Sequence, residues 1–326
     1  MKILLTGASG FVGSHILDSL RGRGLPTALL LRPGSNHRFI TRHLADVEVR
    51  PGSIGDLGSL RRAMTDITHV IHCAGATRAG RIAGFYEANQ AGTREVVSAV
   101  NEQKGRVQRL VHISSLAAAG PAPREKPALE EDSPAPVSEY GKSKLAGELE
   151  VRNHCHAEHV ILRPPAVYGP RDGEFLRLFR AVRKHVLPRL CETQALSLVF
   201  AKDLAETVVA CLTHAAAAGR TYFVAGREVV TARTLADEVA AQMNVWTLPL
   251  PLPTWMLWPV CLAREGWSRL TGQPSVLSLQ KFAELRAPGW VCDPTRLERE
   301  VGGLCATTLK QGIAETLLWY REQNWL

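Results

Sequence analysis

Leu4-Leu5-Thr6-Gly7-Ala8-Ser9-Gly10-Phe11-Val12-Gly13 sets glycines at three-residue spacing after an apolar run and before the Val12, Ile16, Leu17, Leu20 pattern of an amphipathic helix. That arrangement can cradle a phosphate. Gly7 permits a tight turn out of a strand, Gly10 admits a pyrophosphate close to the backbone, and Gly13 lets the helix lie against a sheet. The helix N-terminus adds free N–H donors and a partial positive charge. With Ser9, Phe11 and Val12 completing the loop, the stretch predicts dinucleotide binding. Further along, Tyr140 and Lys144 stand four residues apart in a segment that reads as a helix capped by Ser138, so a phenol and an ammonium share one face.

The elements that must position these groups alternate strand and helix. Pro26 to Leu31 reads as a buried second strand ending at Arg32-Pro33-Gly34-Ser35. At this place in a dinucleotide fold a carboxylate would bind the ribose 2′-hydroxyl of NAD, whereas an arginine accommodates the 2′-phosphate of NADP. Arg32, followed by Ser35, His37 and Arg38 with no acidic residue, therefore favours NADP, with NAD as the alternative. Val47 to Arg50 and Thr68 to Cys73 read as the next strands, and the latter ends in Cys73-Ala74-Gly75, small enough for a ligand to lie against the backbone. Tyr86 to Val100 is predicted as one helix, on which Asn89 faces that crevice. Leu110 to Ser115 is a strand ending in hydroxyls, and Val160 to Arg163 a sixth strand. The alternation predicts an α/β fold with a doubly wound parallel sheet and a smaller mixed C-terminal substrate domain. The expected division is residues 1–165 as the dinucleotide-binding domain, with 197–226 partly returning to it, and 166–196 and 227–326 as the substrate domain.

With 326 residues, 45% hydrophobic and 21% charged, the chain can build a full core. The net charge of +8 favours anionic ligands or surfaces, yet Arg and Lys are scattered, with no basic run interleaved with aromatics, which argues against nucleic acid. Seven cysteines lie far apart without a CxxC pair, so neither a disulfide framework nor a metal site is expected. A strand at the very start, without an apolar h-region, predicts a cytoplasmic protein without a secretory signal. All seven tryptophans fall in the last quarter. Residues 245–263 carry no charge but are broken by Pro249, Pro251, Pro253 and Pro259, so an intact spanning helix is not expected. They read as an apolar cap over a substrate pocket or, alternatively, as a patch in peripheral contact with a membrane.

Thr6-Gly7-xx-Gly10-xx-Gly13, His72-Cys73-Ala74-Gly75, Ser114-Ser115, Tyr140-xxx-Lys144 and Pro165-Ala-Val-Tyr-Gly-Pro170 together resemble the extended short-chain dehydrogenase/reductase superfamily, of NAD-dependent epimerase/dehydratase type. The C-terminal part, with Leu277 to Lys281, Trp290 to Asp293 and Leu309 to Tyr320, looks like the branch of 3β-hydroxysteroid and sterol dehydrogenases and dihydroflavonol reductases. The resemblance implies a Rossmann fold, a homodimer, and a dinucleotide touching Ser53, Ile54, Pro164 and Val167 besides the residues above. It also implies Tyr140 as general acid/base, Lys144 as the charge that favours its phenolate, Ser115 as the group holding the substrate oxygen, and Asn89 as holder of a relay water. The expected reaction is hydride transfer between NADP(H) and a secondary alcohol or ketone of a bulky apolar substrate such as a sterol or triterpenoid. Two alternatives are kept, a nucleotide-sugar epimerase and a non-catalytic NAD(P)-binding sensor or scaffold. Against the epimerase, Leu196 to Asp203 lacks the arginine that grips a sugar diphosphate in that family. Ser115-Leu116-Ala117 replaces the dehydratases' Thr-Asp-Glu, and Gly52-Ser53-Ile54 replaces the common Gly-Asp-x beside adenine.

Overall fold

The computed structural model describes residues 1–189, 194–251, 283–284 and 286–326. Its main sheet is built from β1 (Ile3–Thr6), β2 (Thr27–Leu31), β3 (Glu48–Pro51), β4 (His69–His72), β5 (Arg109–Ile113), β6 (Glu158–Arg163) and β10 (Arg220–Phe223). All pair in parallel, in the order β10-β6-β5-β4-β1-β2-β3. Parallel strands covered on both faces need apolar residues at every position, which is why β1 and β2 are buried throughout. Side chains alternate between two cores. Ile3 and Leu5 join Ile16, Leu17 and Leu20 of α1 (Phe11–Gly22) and Leu204 and Val208 of α8 (Ala201–Ala210). Leu4 and Val70 face the other way, onto Leu60 of α2 (Leu57–Ala63), Val96 and Val100 of α4 (Gly92–Asn101), and Val151 of α6 (Glu139–His154). The strand order reverses between β1 and β4, whose ends Thr6 and His72 lie side by side, and the carboxyl ends at such a reversal are where a parallel sheet of this kind takes its ligand.

A smaller mixed sheet centres on β9 (Ala195–Phe200), which pairs with β7 (Ala166–Tyr168), β11 (Val229–Thr231) and β13 (Gly289–Trp290). Its core gathers Tyr168, Phe179, Phe200, Val239, Ile313 and Tyr320 from these strands and from α7 (Phe175–Arg183), α9 (Ala232–Met243) and α11 (Leu309–Glu322). A two-stranded parallel ladder joins β8 (Val186–Arg189) to β12 (Leu248–Pro251). One expectation changes and one motif gains a structure. The single helix over Tyr86 to Val100 is divided by a π turn at Glu87–Ala91, and the Pro165 to Pro170 motif contains a strand, β7. Most of the uncharged Pro/Trp stretch, including Trp255 and Trp258, lies outside the described residues, as do Trp267 and Leu277 to Lys281. Among the described residues no helix is long and apolar enough to cross a membrane.

Candidate active site

The glycine loop meets β4 at very close range. Gly7 has φ +76°, and a Cβ there would lie 2.6 Å from the Ala74 nitrogen. A Cβ on Gly13 would lie 2.1 Å from the Gly7 carbonyl oxygen, so α1 can approach β1 only without that carbon. Gly10 differs, because its Cβ would meet nothing closer than the same oxygen at 3.3 Å. Internal packing therefore demands Gly7 and Gly13 strongly and Gly10 weakly, and the open space at Gly10 faces outward. The first turn of α1 has no side-chain cap and no acidic residue, leaving its N–H groups available to an anion. A pyrophosphate fits this cradle. Gly13→Ala is expected to cost about 1–3 kcal/mol in urea unfolding because backbone must move. Gly10→Ala should leave stability near wild type while weakening dinucleotide binding, read by fluorescence titration.

Around the cradle, Ser35 closes a turn on Arg32 (Ser35 N to Arg32 O 3.1 Å) at the end of β2. Arg32 is exposed and forms no ion pair among the described residues. Ser53 and Ile54 follow β3. The Ser53 N–H donates to Ser59 Oγ at 3.0 Å, and Ile54 packs where a Gly92 side chain would otherwise stand. Pro164 is buried, its carbonyl accepting from the Leu116 N–H at 2.8 Å, and Val167 packs on the core of the main sheet.

Tyr140 and Lys144 do lie on one helix, α6, and its N-cap is Ser138, which accepts from the Gly141 N–H. Ser115 faces the Tyr140 hydroxyl and pulls its pKa down, and its Oγ accepts from the Ala117 N–H at 3.1 Å as the N-cap of α5 (Leu116–Ala119). Lys144 is buried, and its ammonium donates to the Ile113 carbonyl at 2.6 Å. A Cβ on Gly75 would come within 3.7 Å of that ammonium, so the end of β4 and the Tyr-Lys helix face each other across the crevice. Burial raises Tyr140 above the ordinary tyrosine range, and Ser115 only partly offsets it. Burial also pushes Lys144 down to about 8, although Cys73 and Glu148 pull the other way.

Asn89 sits on the π turn, a distortion that recurs at functional sites. Its amide is fully engaged. Oδ1 accepts from the Ala76 N–H at 2.8 Å, and Nδ2 donates to the Ala76 carbonyl and to Ser143 Oγ, both at 2.9 Å. It thus clamps the chain just past Gly75 to the helix that carries Tyr140. Beneath it, His72 Nδ1 lies 2.9 Å from Thr6 Oγ1 and Nε2 lies 3.1 Å from Thr93 Oγ1. Thr93 donates to the Asn89 carbonyl, so its oxygen accepts from His72 Nε2–H, and Thr6 donates to Nδ1. Burial, reinforced by Lys144, holds His72 down to about 3, so this relay ties β1, β4 and α4 together with a neutral ring.

Several supporting residues escaped sequence reasoning. Glu148, one turn beyond Lys144, takes a bidentate pair from buried Arg163 (2.8 and 2.7 Å) and accepts from Ser114 Oγ at 2.5 Å. Helix spacing from Lys144 could have flagged Glu148, but nothing local links it to Arg163. Arg78, past Gly75, pairs with Glu174 at the start of α7, and Pro170 accepts from His15 of α1 at 2.8 Å. Trp319 and Trp325 pack against Phe39 in the β2–β3 connection, 6.3 and 6.2 Å between ring centroids. Arg38 lies 4.3 Å from the Phe39 ring and 4.9 Å from that of Trp325, which fixes one of the cations that follow Arg32. These two tryptophans therefore pack against the β2–β3 connection.

Residues 3–225 match the model of the NAD dependent epimerase/dehydratase family. A ceramide reductase of Caulobacter vibrioides is 32% identical over 326 residues, covering 99% of this chain and 96% of that one. A UDP-glucose 4-epimerase of Vibrio cholerae is 30% identical over 339 residues, covering 99% and 96%. Among solved structures, WbmG of Bordetella bronchiseptica in complex with NAD and UDP has the same fold, with TM-score 0.78 at 23% identity over 99% of this chain and 96% of that one. The motifs, the parallel sheet with its glycine cradle, and these likenesses agree that the chain belongs to the NAD dependent epimerase/dehydratase family, within the extended short-chain dehydrogenase/reductase superfamily, and is an enzyme of that NAD-dependent kind.

Proposed function

We propose that the protein is an NADP(H)-linked oxidoreductase that interconverts the ketone and secondary-alcohol forms of a bulky apolar lipid, with the keto form of a ceramide-type lipid as the first substrate to test and sterols or triterpenoids next. The observation that carries this reading is the convergence of Ser115, Tyr140 and Lys144 beside the glycine cradle. The full-length likeness to a ceramide reductase supports the lipid class. A bound nicotinamide would supply or take the hydride. In the reducing direction Ser115 and Tyr140 hold the carbonyl oxygen, and as the C=O π bond opens Tyr140 donates its proton to that oxygen. The phenolate left behind is stabilised by the Lys144 ammonium and regains its proton from solvent. A phenol held above its usual pKa stays protonated at neutral pH, which suits the acid role that reduction needs.

Purified protein incubated with NADPH and keto-ceramide, ketosteroids or soluble ketones should oxidise NADPH with formation of the alcohol. No turnover on any ketone would overturn the reading. The likeness to a UDP-glucose 4-epimerase favours one second reading, which a rise in melting temperature with UDP-hexose, and none with keto-lipids, would support. For the cofactor, Arg32→Glu should raise KM for NADPH by ~10-fold or more, the scale of one charged hydrogen bond, and leave KM for NADH unchanged. Equal changes for both cofactors would remove Arg32 from the 2′-phosphate site.

A further inference from the structure

The ladder of β8 and β12 carries a surface that the dinucleotide chemistry does not use. Trp246 is 68% exposed and Leu248 56% exposed, at a place where globular proteins seldom leave an indole in water. Neither is loose. The Trp246 ring stacks on His185 with centroids 4.3 Å apart, His185 Nδ1 lies 2.8 Å from the Trp246 carbonyl oxygen, and the Leu248 N–H donates to the His185 carbonyl at 2.8 Å. The same contacts bring the end of α7 alongside. Arg183 and Lys184 are exposed there and form no ion pair among the described residues, whereas Arg177 on the same helix pairs with Glu174 at 3.6 Å. An indole and a leucine held outward beside exposed cations match the two signals of interfacial binding. Aromatic and aliphatic groups enter the headgroup boundary, and basic groups meet anionic headgroups. The excess of positive charge over the whole chain, +8, adds long-range attraction of the same sign.

We infer that the edge formed by Arg183, Lys184, Trp246 and Leu248 docks the protein on an anionic phospholipid surface. The inference rests on the lipid-oxidoreductase reading only for its purpose, which is to bring the enzyme to a substrate that resides in the bilayer. The test is flotation of the purified full chain with vesicles of phosphatidylcholine alone or mixed with phosphatidylglycerol, without nucleotide. The wild type should float with the mixed vesicles and be released by added salt. Arg183→Glu/Lys184→Glu should weaken partition by about 20-fold or more, and Trp246→Ser by about 10-fold. NADPH oxidation with a soluble short-chain ketone should be unchanged in both variants. Failure to float with either vesicle, equal flotation of wild type and variants, or loss of a dimer on Trp246→Ser without vesicle binding would overturn the docking surface. Because flotation needs no turnover, vesicle binding with no ketone reduction would sink the function and leave the surface standing, and the reverse result would do the opposite.

Discussion

Tyr140→Phe is expected to lower kcat for ketone reduction by ~10²–10⁴-fold, the range that a positioned acid contributes, while dinucleotide affinity stays within about twofold of wild type. The ring is kept, so its packing beside Phe85, at 6.1 Å between centroids, survives, and only the hydroxyl that faces Ser115 is removed. The pH profile gives an independent check. Reduction requires Tyr140 protonated and Lys144 charged. Burial holds the phenol above its usual range and lowers the ammonium to about 8, so Lys144 is the first of the two to lose its proton as pH rises. The free-enzyme profile of kcat/KM should therefore be level below about pH 8 and fall above it. Lys144→Met should be slow throughout and should lose that alkaline limb. Alcohol oxidation needs the phenolate, so its dependence runs the other way, rising with pH until Lys144 discharges. A Tyr140→Phe enzyme with wild-type turnover would remove the phenol from the chemistry.

How legible the site was depended on how local its constraints are. Gly7 and Gly13 could be read because one turn and one helix–strand contact dictate them, and the place of Arg32 in the chain because it follows directly on strand β2. Ser138 was readable as a cap for the same reason. The burial that surrounds Tyr140 was not, because it is decided by elements far away in the chain. The π turn holding Asn89 was missed because periodicity continues through it: Phe85 before it and Val96 and Val97 after it are all buried. The tryptophans show the limit most clearly. Their crowding at the C-terminal end says nothing of their partners, yet Trp325 stacks on Tyr320, and Trp319 and Trp325 meet Phe39 some 280 residues earlier in sequence. No local pattern encodes a contact of that separation.

Glu148 is the clearest such long-range residue, and Glu148→Ala should be among the most damaging single changes outside the reacting groups. Arg163 is 1% exposed, and its two bonds to Glu148 neutralise it where water cannot. Its Nη1 already lacks a hydrogen-bond partner, so removing the carboxylate leaves the guanidinium still less satisfied. Breaking one side of a buried pair costs ~3–5 kcal/mol, because the remaining charge stays desolvated. Urea unfolding should show that loss as a lower midpoint at unchanged slope. Replacing both partners, Glu148→Leu with Arg163→Met, should recover most of it, since apolar groups of similar volume do not carry the desolvation penalty. A functional consequence follows from geometry. Glu148 joins α6 to the end of β6 through Arg163 and to the end of β5 through Ser114, the residue before Ser115. The double variant, though nearly as stable as wild type, should therefore position Ser115 and Tyr140 less well and show reduced kcat with little change in dinucleotide affinity. If the double variant were instead as active as wild type, the pair would matter for stability alone, and the orientation of Ser115 and Tyr140 would have to come from the N-caps at Ser115 and Ser138.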